Sequence, residues 1–165
     1  LTTYGGTFAF MENYPKKFNI EVEFVNISDL EEVKAAVKPN TKMIYTETMT
    51  KPMLQISNLS ELSKIAKANN LKLVCDNTLT PMIVTPANFG VDVVDYSLTK
   101  FVNGKNDCVA GAICGSQEFI NSLDDVNNGT AMLLGPVMDA KISSATLKNL
   151  GDLHIRMIQH GRTGM

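Results

Sequence analysis

The sequence predicts an α/β fold, a mainly parallel sheet flanked by helices, and three observations carry that prediction. Short apolar runs of strand character alternate with segments of helical periodicity along the chain, the pattern of layered α/β domains. The stretch between the runs near 71–75 and 91–96 is long enough for the crossover that parallel strands require. Glu47, Asp76 and the segment Ser97 to Lys100 each fall just beyond the end of such a run, where parallel sheets bind ligands.

Val22-Glu23-Phe24-Val25 reads as the first strand. Ser28 or Asp29 caps the next helix, with Glu31 and Glu32 at its positive end, and Pro39-Asn40 follows its stop near Val37. Lys42 to Glu47 is a strand. Asn58 caps a helix with Leu59, Leu62, Ile65 and Ala66 on one face, and Asn69-Asn70 ends it. Strands near 71–75 and 91–96 come next, then a strand from Ala110 to Cys114 and a helix from Gln117 to Val126. Pro136 is placed in the first turn of a helix running to about Leu150. Thr2-Thr3-Tyr4-Gly5-Gly6 reads as a glycine turn.

At 165 residues the chain has the size of one domain with room for a substantial core. A formal charge of −2, with lysines spread along the chain, gives no electrostatic case for nucleic acid. No apolar run reaches the roughly 18 to 20 residues of a membrane span, and no basic-then-apolar leader is visible. The three cysteines, Cys75, Cys108 and Cys114, lack metal-ligand spacing, and Cys75 reads as a packed thiol at a strand end. His154 and His160 have no ligand partners at useful spacing, so no metal is expected. The expected compartment is cytoplasmic.

The chemistry concentrates on a few residues. A lone lysine after a strand is usually a solvated one, but Lys100 follows the hydroxyls of Ser97 and Thr99 on one turn, and Asp76 ends the neighbouring strand. An amine, two hydroxyls and a carboxylate at adjacent strand ends are what pyridoxal phosphate needs: imine, phosphate and ring-nitrogen partners. Asp76 alone reads equally as a turn residue with Asn77 and Thr78, yet a carboxylate against an apolar strand needs a partner. Tyr4 reads either as a core tyrosine beside a turn or as a ring that stacks on a flat heterocycle, the glycines letting backbone come close. Glu47 has the weaker claim of a strand-terminal residue that caps a nearby helix.

With these residues in view, the sequence resembles the Cys/Met-metabolism pyridoxal-phosphate enzymes, the group of cystathionine γ-synthase, cystathionine γ-lyase and methionine γ-lyase. The resemblance runs from Thr3-Tyr4-Gly5-Gly6-Thr7-Phe8 to Leu153-His154-Ile155-Arg156-Met157. It is carried by Lys38-Pro39-Asn40-Thr41-Lys42, Glu47-Thr48, Val74-Cys75-Asp76-Asn77-Thr78, Ser97-Leu98-Thr99-Lys100-Phe101 and Asn103-Gly104. The stretch from Ala110-Gly111-Ala112 through Gly115-Ser116-Gln117, with Pro136 and Asp139-Ala140, is most similar to the γ-lyase branch.

The resemblance implies part of the large cofactor-binding domain of fold-type I pyridoxal-phosphate enzymes. It implies that Lys100 forms the internal aldimine, Asp76 pairs with the pyridine nitrogen, and Ser97 and Thr99 hold the phosphate. Tyr4 would stack on the ring and act in proton transfer, and Lys100, once released, would shuttle protons between Cα and Cβ. Four positions depart from the family pattern. Lys51 stands where asparagine is usual and Leu98 where a small residue is; Lys105 replaces histidine or glutamine, and Tyr96 a common histidine. The family's upstream glycine-rich phosphate turn and N-terminal arm, and its C-terminal substrate domain with a carboxylate-binding arginine, fall outside this sequence. Residues 1–165 therefore read as a single cofactor-binding core domain.

The expected function is a pyridoxal-phosphate-dependent C–S lyase of sulfur amino acid metabolism, acting by γ-elimination on methionine- or cystathionine-type substrates. A γ-synthase or sulfhydrylase of the same family, and a non-catalytic truncated relative, are the alternatives. The expected partners are an amino-acid substrate and further copies of the chain, as homodimer or homotetramer.

Overall fold

The computed structural model of the chain describes residues 3–164. A four-stranded sheet runs in the spatial order β1 (Met43–Glu47), β2 (Lys72–Asp76), β3 (Val93–Ser97) and β4 (Gly111–Gly115). The first three strands are parallel and β4 is antiparallel to β3, as the sequence led us to expect of a mainly parallel sheet. Helices α1 (Gly5–Asn13) and α2 (Leu30–Ala36) precede the sheet, and α3 (Leu59–Ala68) carries the chain from β1 to β2. Helices α4 (Gln117–Asp124), α5 (Thr130–Leu134), α6 (Ala140–Asn149) and α7 (Leu153–Thr163) follow it.

The two capped helices form where the local chemistry places them. The Asp29 carboxylate accepts from the amides of Glu31 and Glu32, and the Asn58 side chain accepts from Glu61. The apolar face of α3 then buries Leu59, Leu62, Ile65 and Ala66 against Leu73, Cys75 and Val94 of the sheet, with Val33 of α2 beside them. Alternation along a strand sends every second side chain to the other face. Tyr45, Glu47, Asp76 and Asp95 consequently share the face away from α3. The helix-covered face makes the core, and the opposite face holds the polar groups.

Four sequence expectations are corrected. Val22 to Val25 form no strand among the described residues: Phe24 instead packs on Phe8 of α1, ring centroids 4.8 Å apart, and Val25 packs on the core. Apolar alternation there serves a helix and the core rather than a ladder. The glycine turn at Gly5-Gly6 is the start of α1. Pro136 precedes its helix rather than opening it, because Asp139 caps α6 by accepting from Lys141 and Ile142 at 2.9 and 3.3 Å. The helix from Gln117 ends at Asp124, and α5 follows without a sequence signal that we read.

Candidate active site at the carboxyl end of the sheet

Parallel pairing aligns Glu47 with Asp76 and Asp76 with Asp95, so three carboxylates stand in one row across β1, β2 and β3. Thr78, which follows Asp76 and Asn77 in the turn that leaves β2, ties this row to β3. Its amide donates to Asp76 Oδ1 at 2.7 Å, and its hydroxyl accepts from the Ser97 amide at 2.8 Å. The exits of β2 and β3 are thereby locked together.

Beyond Ser97 the chain makes a π-helical turn, Leu98–Val102, broken at Lys100, whose φ −90° and ψ −121° are not helical. Leu98 and Phe101 pack with Val102, Leu153 and Met157, so the turn is seated on α7 while Lys100 stays exposed. Arg156 of α7 holds the turn's far side. It donates to the carbonyls of Phe101, Val102 (2.9 Å) and Asn149 (3.0 Å), and through Nε to Asp152 at 2.8 Å. That pairing lowers the Asp152 carboxyl below its ordinary range. Gly104 has φ 72°, and a Cβ there would lie 2.5 Å from Arg156 Nη1, so both backbone and clearance call for glycine.

A cavity of about 450 Å³, of ligand size, opens here with Tyr4, Lys51, Thr78, Lys100, Arg156 and His160 in its lining. Tyr4 and Lys100, far apart in sequence, therefore face one space. Lys51 lies over the Tyr4 ring, Nζ 5.2 Å from its centroid, a cation–π distance. Asp76, Ser97 and Thr99 do not line the cavity. Asp76 and Ser97 reach its wall through Thr78. The Thr99 hydroxyl instead donates to the Ala110 carbonyl at 3.3 Å and accepts from the Ala110 amide at 3.0 Å, pinning the turn to the entry of β4. Lys105 is exposed.

Glu47, which the sequence offers as a strand-terminal residue capping a nearby helix, takes that part at the start of α1, whereas Asp95 and Tyr45 carry no such signal. Glu47 is 4 % exposed, and its Oε1 accepts from the Thr3 hydroxyl and from the Tyr4 amide, both at 2.7 Å. Asp95 was hidden within an apolar strand. Its Oδ1 is buried without a partner among the described residues, and its Oδ2 receives the Tyr45 hydroxyl at 3.4 Å. Burial first, and then the charge of Asp76, pushes the Asp95 carboxyl up to about 6. Burial likewise raises the Tyr45 phenol, and it raises the Cys75 thiol to about 12, which makes Cys75 an inert packed thiol as expected.

Asp95 yields a pH prediction. A carboxyl whose folded value lies above its unfolded value of 3.8 favours the protonated native state. Native stability therefore falls as pH rises from about 4 to about 6 and stays lower above that window. Asp95→Asn should stabilise the protein at pH 7.5 by about 1–2 kcal/mol, after discounting for partial solvent screening, and should give no gain near pH 4. Urea midpoints of both proteins at the two pH values measure this, and an equal gain at both would show that the charge is not the cause.

The whole chain, residues 1–165, matches the family model described as Cys/Met metabolism PLP-dependent enzyme, where PLP is pyridoxal phosphate. The chain belongs to that family. Among its relatives, the methionine gamma-lyase of Arabidopsis thaliana is 38% identical over 161 residues, a match covering 96% of this chain and 36% of the relative. The crystal structure of cystathionine gamma-lyase from Lactobacillus plantarum complexed with L-serine superimposes with a TM-score of 0.86 at 29% identity, covering 93% of this chain and 40% of that one. A Campylobacter jejuni structure described as an O-acetylhomoserine (thiol)-lyase aligns with a TM-score of 0.83 at 25% identity over 93% of this chain and 46% of that one, and it contains a pyridoxyl-lysine phosphate. The chain thus spans less than half the length of these relatives.

The residues around the cavity fit the family's cofactor. One wall offers an exposed lysine amine and a tyrosine ring, and the charged groups lining the cavity are basic, suited to a phosphorylated ligand. The carboxylate row at the strand ends, joined to the cavity wall through Thr78, has the charge that a protonated heterocycle would pair with. Among the described residues no helix is long and apolar enough to cross a membrane.

Proposed function

We propose that this chain is the cofactor-binding part of a pyridoxal-phosphate-dependent C–S lyase acting by γ-elimination on methionine- or cystathionine-type amino acids. The observation that carries this reading is the shared cavity of Lys100 and Tyr4, at the carboxyl end of the sheet, in a chain of this family.

When bound, pyridoxal phosphate supplies an electron sink for the pair released at Cα. Lys100 Nζ would hold the cofactor covalently and, once its amine is free, would act as the base that removes a proton from Cα and then one from Cβ, the loss at Cβ supplying the electron pair that lets the Cγ–S bond break. Its position on a turn seated by Leu98, Phe101 and Arg156 fixes the stem while the exposed amine swings. Asp76 would keep a proton on the ring nitrogen. Tyr4 would stack on the ring, and its hydroxyl would protonate the departing sulfur. Ser97 and Thr99 would hold the phosphate, Thr99 giving up its long 3.3 Å donation to Ala110 to do so.

The same reading takes the protein to be cytoplasmic, in line with the free cysteines Cys75, Cys108 and Cys114. It also takes the protein to be a homodimer or homotetramer. The exposed aromatic run Phe10, Tyr14 and Phe18, ring centroids 5.0 and 5.3 Å apart, supports self-association.

The test is assay of the full-length protein that carries this cofactor-binding part, with methionine and with cystathionine, for a 2-keto acid and a thiol. Both products are expected. Turnover only of an activated homoserine with added thiol would favour the γ-synthase or sulfhydrylase reading that the (thiol)-lyase match supports. No product from either would favour a non-catalytic relative.

A further inference from the structure

We propose that Glu47 is a positioning residue that holds Tyr4 in place across the cavity from Lys100; the catalytic consequence rests on the role proposed for Tyr4, whereas the contact itself does not.

The start of α1 needs help from outside. The first amides of any helix have no intrahelical acceptor, and its N-terminus carries partial positive charge. Here the N-cap residue is Tyr4, whose side chain makes no cap bond, and the first turn holds no acidic residue. Gly5 and Gly6 disfavour helix on their own. What fixes this end is a carboxylate 43 positions away: Glu47 Oε1 accepts the Tyr4 amide and the Thr3 hydroxyl, both at 2.7 Å. Glu47 is almost fully buried, a costly place for a carboxylate unless it meets donors and positive charge. The α1 terminus provides both at Oε1, while Oε2 is buried without a partner among the described residues.

The placement of Tyr4 follows from that bond. Glu47 is the last residue of β1 and pairs with Asp76, so the Tyr4 backbone is tied to the same row of the sheet that carries Asp76. The ring lies over Gly6, where a Cβ would come within 2.8 Å of the Tyr4 ring edge, and Lys51 covers it at 5.2 Å. Backbone anchor, bare glycine and ammonium together define one ring position. Neither Thr3 nor Glu47 lines the cavity, so Glu47 acts through Tyr4 rather than on a ligand.

Hydrogen exchange on the pyridoxal-phosphate-loaded full chain reads the contact directly. Glu47→Ala should speed exchange at the Tyr4 amide by about tenfold or more, and Glu47→Gln, which keeps an acceptor oxygen, should restore protection. Exchange unchanged in Glu47→Ala overturns the proposal. Kinetics read the consequence. Glu47→Ala should lower kcat about 10- to 100-fold with a smaller change in KM, shift the cofactor's visible circular dichroism, and be rescued by Gln. In a Tyr4→Ala background, Glu47→Ala should add nothing further. Multiplying effects in the double variant, or Gln as impaired as Ala, would show a general structural role instead. Full turnover in Tyr4→Ala would overturn the role of Tyr4 alone, and the exchange result would still decide the contact.

Discussion

Lys100→Ala is expected to leave a folded protein that takes no covalent pyridoxyl label and turns over at least about 10³-fold more slowly. The fold should survive because Lys100 is exposed and belongs to neither apolar cluster; the turn that carries it is held by Leu98, Phe101, Val102 and Arg156. The chemistry should not survive, because the proposed function gives one amine both tasks, holding the cofactor and moving the proton. This protein also permits an internal control. Lys51 is a second amine in the same cavity, yet its Nζ sits over the Tyr4 ring. If Lys51 could substitute, Lys100→Ala would retain label on Lys51 and part of its turnover. Circular dichroism for the fold, label mapping and single-turnover rates separate these outcomes. Retained turnover would contradict the assignment of Lys100.

Asp76→Asn is the second large effect, and it isolates charge from geometry. Asp76 Oδ1 accepts the Thr78 amide at 2.7 Å, and an asparagine oxygen can do the same, so the turn joining β2 to β3 should persist. What is lost is the negative charge that we propose keeps a proton on the cofactor ring. A fixed charge aimed at the place where charge develops is worth about 10²–10³ in kcat, and that loss is expected here with the melting temperature nearly unchanged. Asp95 is the neighbouring carboxylate in the row and is the group that could blunt the effect. Comparing Asp76→Asn with Asp76→Asn/Asp95→Asn shows whether it does. A large fall in melting temperature for Asp76→Asn would mean that the residue serves the turn and not the ring.

What the sequence made legible and what it hid divide along physical lines. Helix caps are local, so Asp29 and Asn58 could be read from their own neighbours, as could the apolar face of α3. Strand ends are nearly local, and they placed Asp76 and Lys100 at one edge of the sheet. The start of α1 was not legible, since glycines argue against helix and the compensating carboxylate, Glu47, lies 43 residues away. Pro136 misled because proline suits a first helical turn, while the Asp139 cap three residues later defines the start. Val22 to Val25 misled because alternation reports a half-buried segment and does not say whether a strand lies alongside. Asp95 was hidden by position: within an apolar strand its environment is set by Tyr45 and Asp76 on neighbouring strands. Thr99 was readable as a hydroxyl near the lysine, but its engagement with Ala110 depends on where β4 enters. The residue types at the site were legible; the contacts that hold them in place were not.

The most direct test of the central claim is borohydride reduction of the protein after incubation with pyridoxal phosphate, followed by peptide mass mapping. A single pyridoxyl label on Lys100 is the predicted result. Label scattered over Lys51 and surface lysines, or none at all, would contradict the placement of the cofactor at the Lys100 turn.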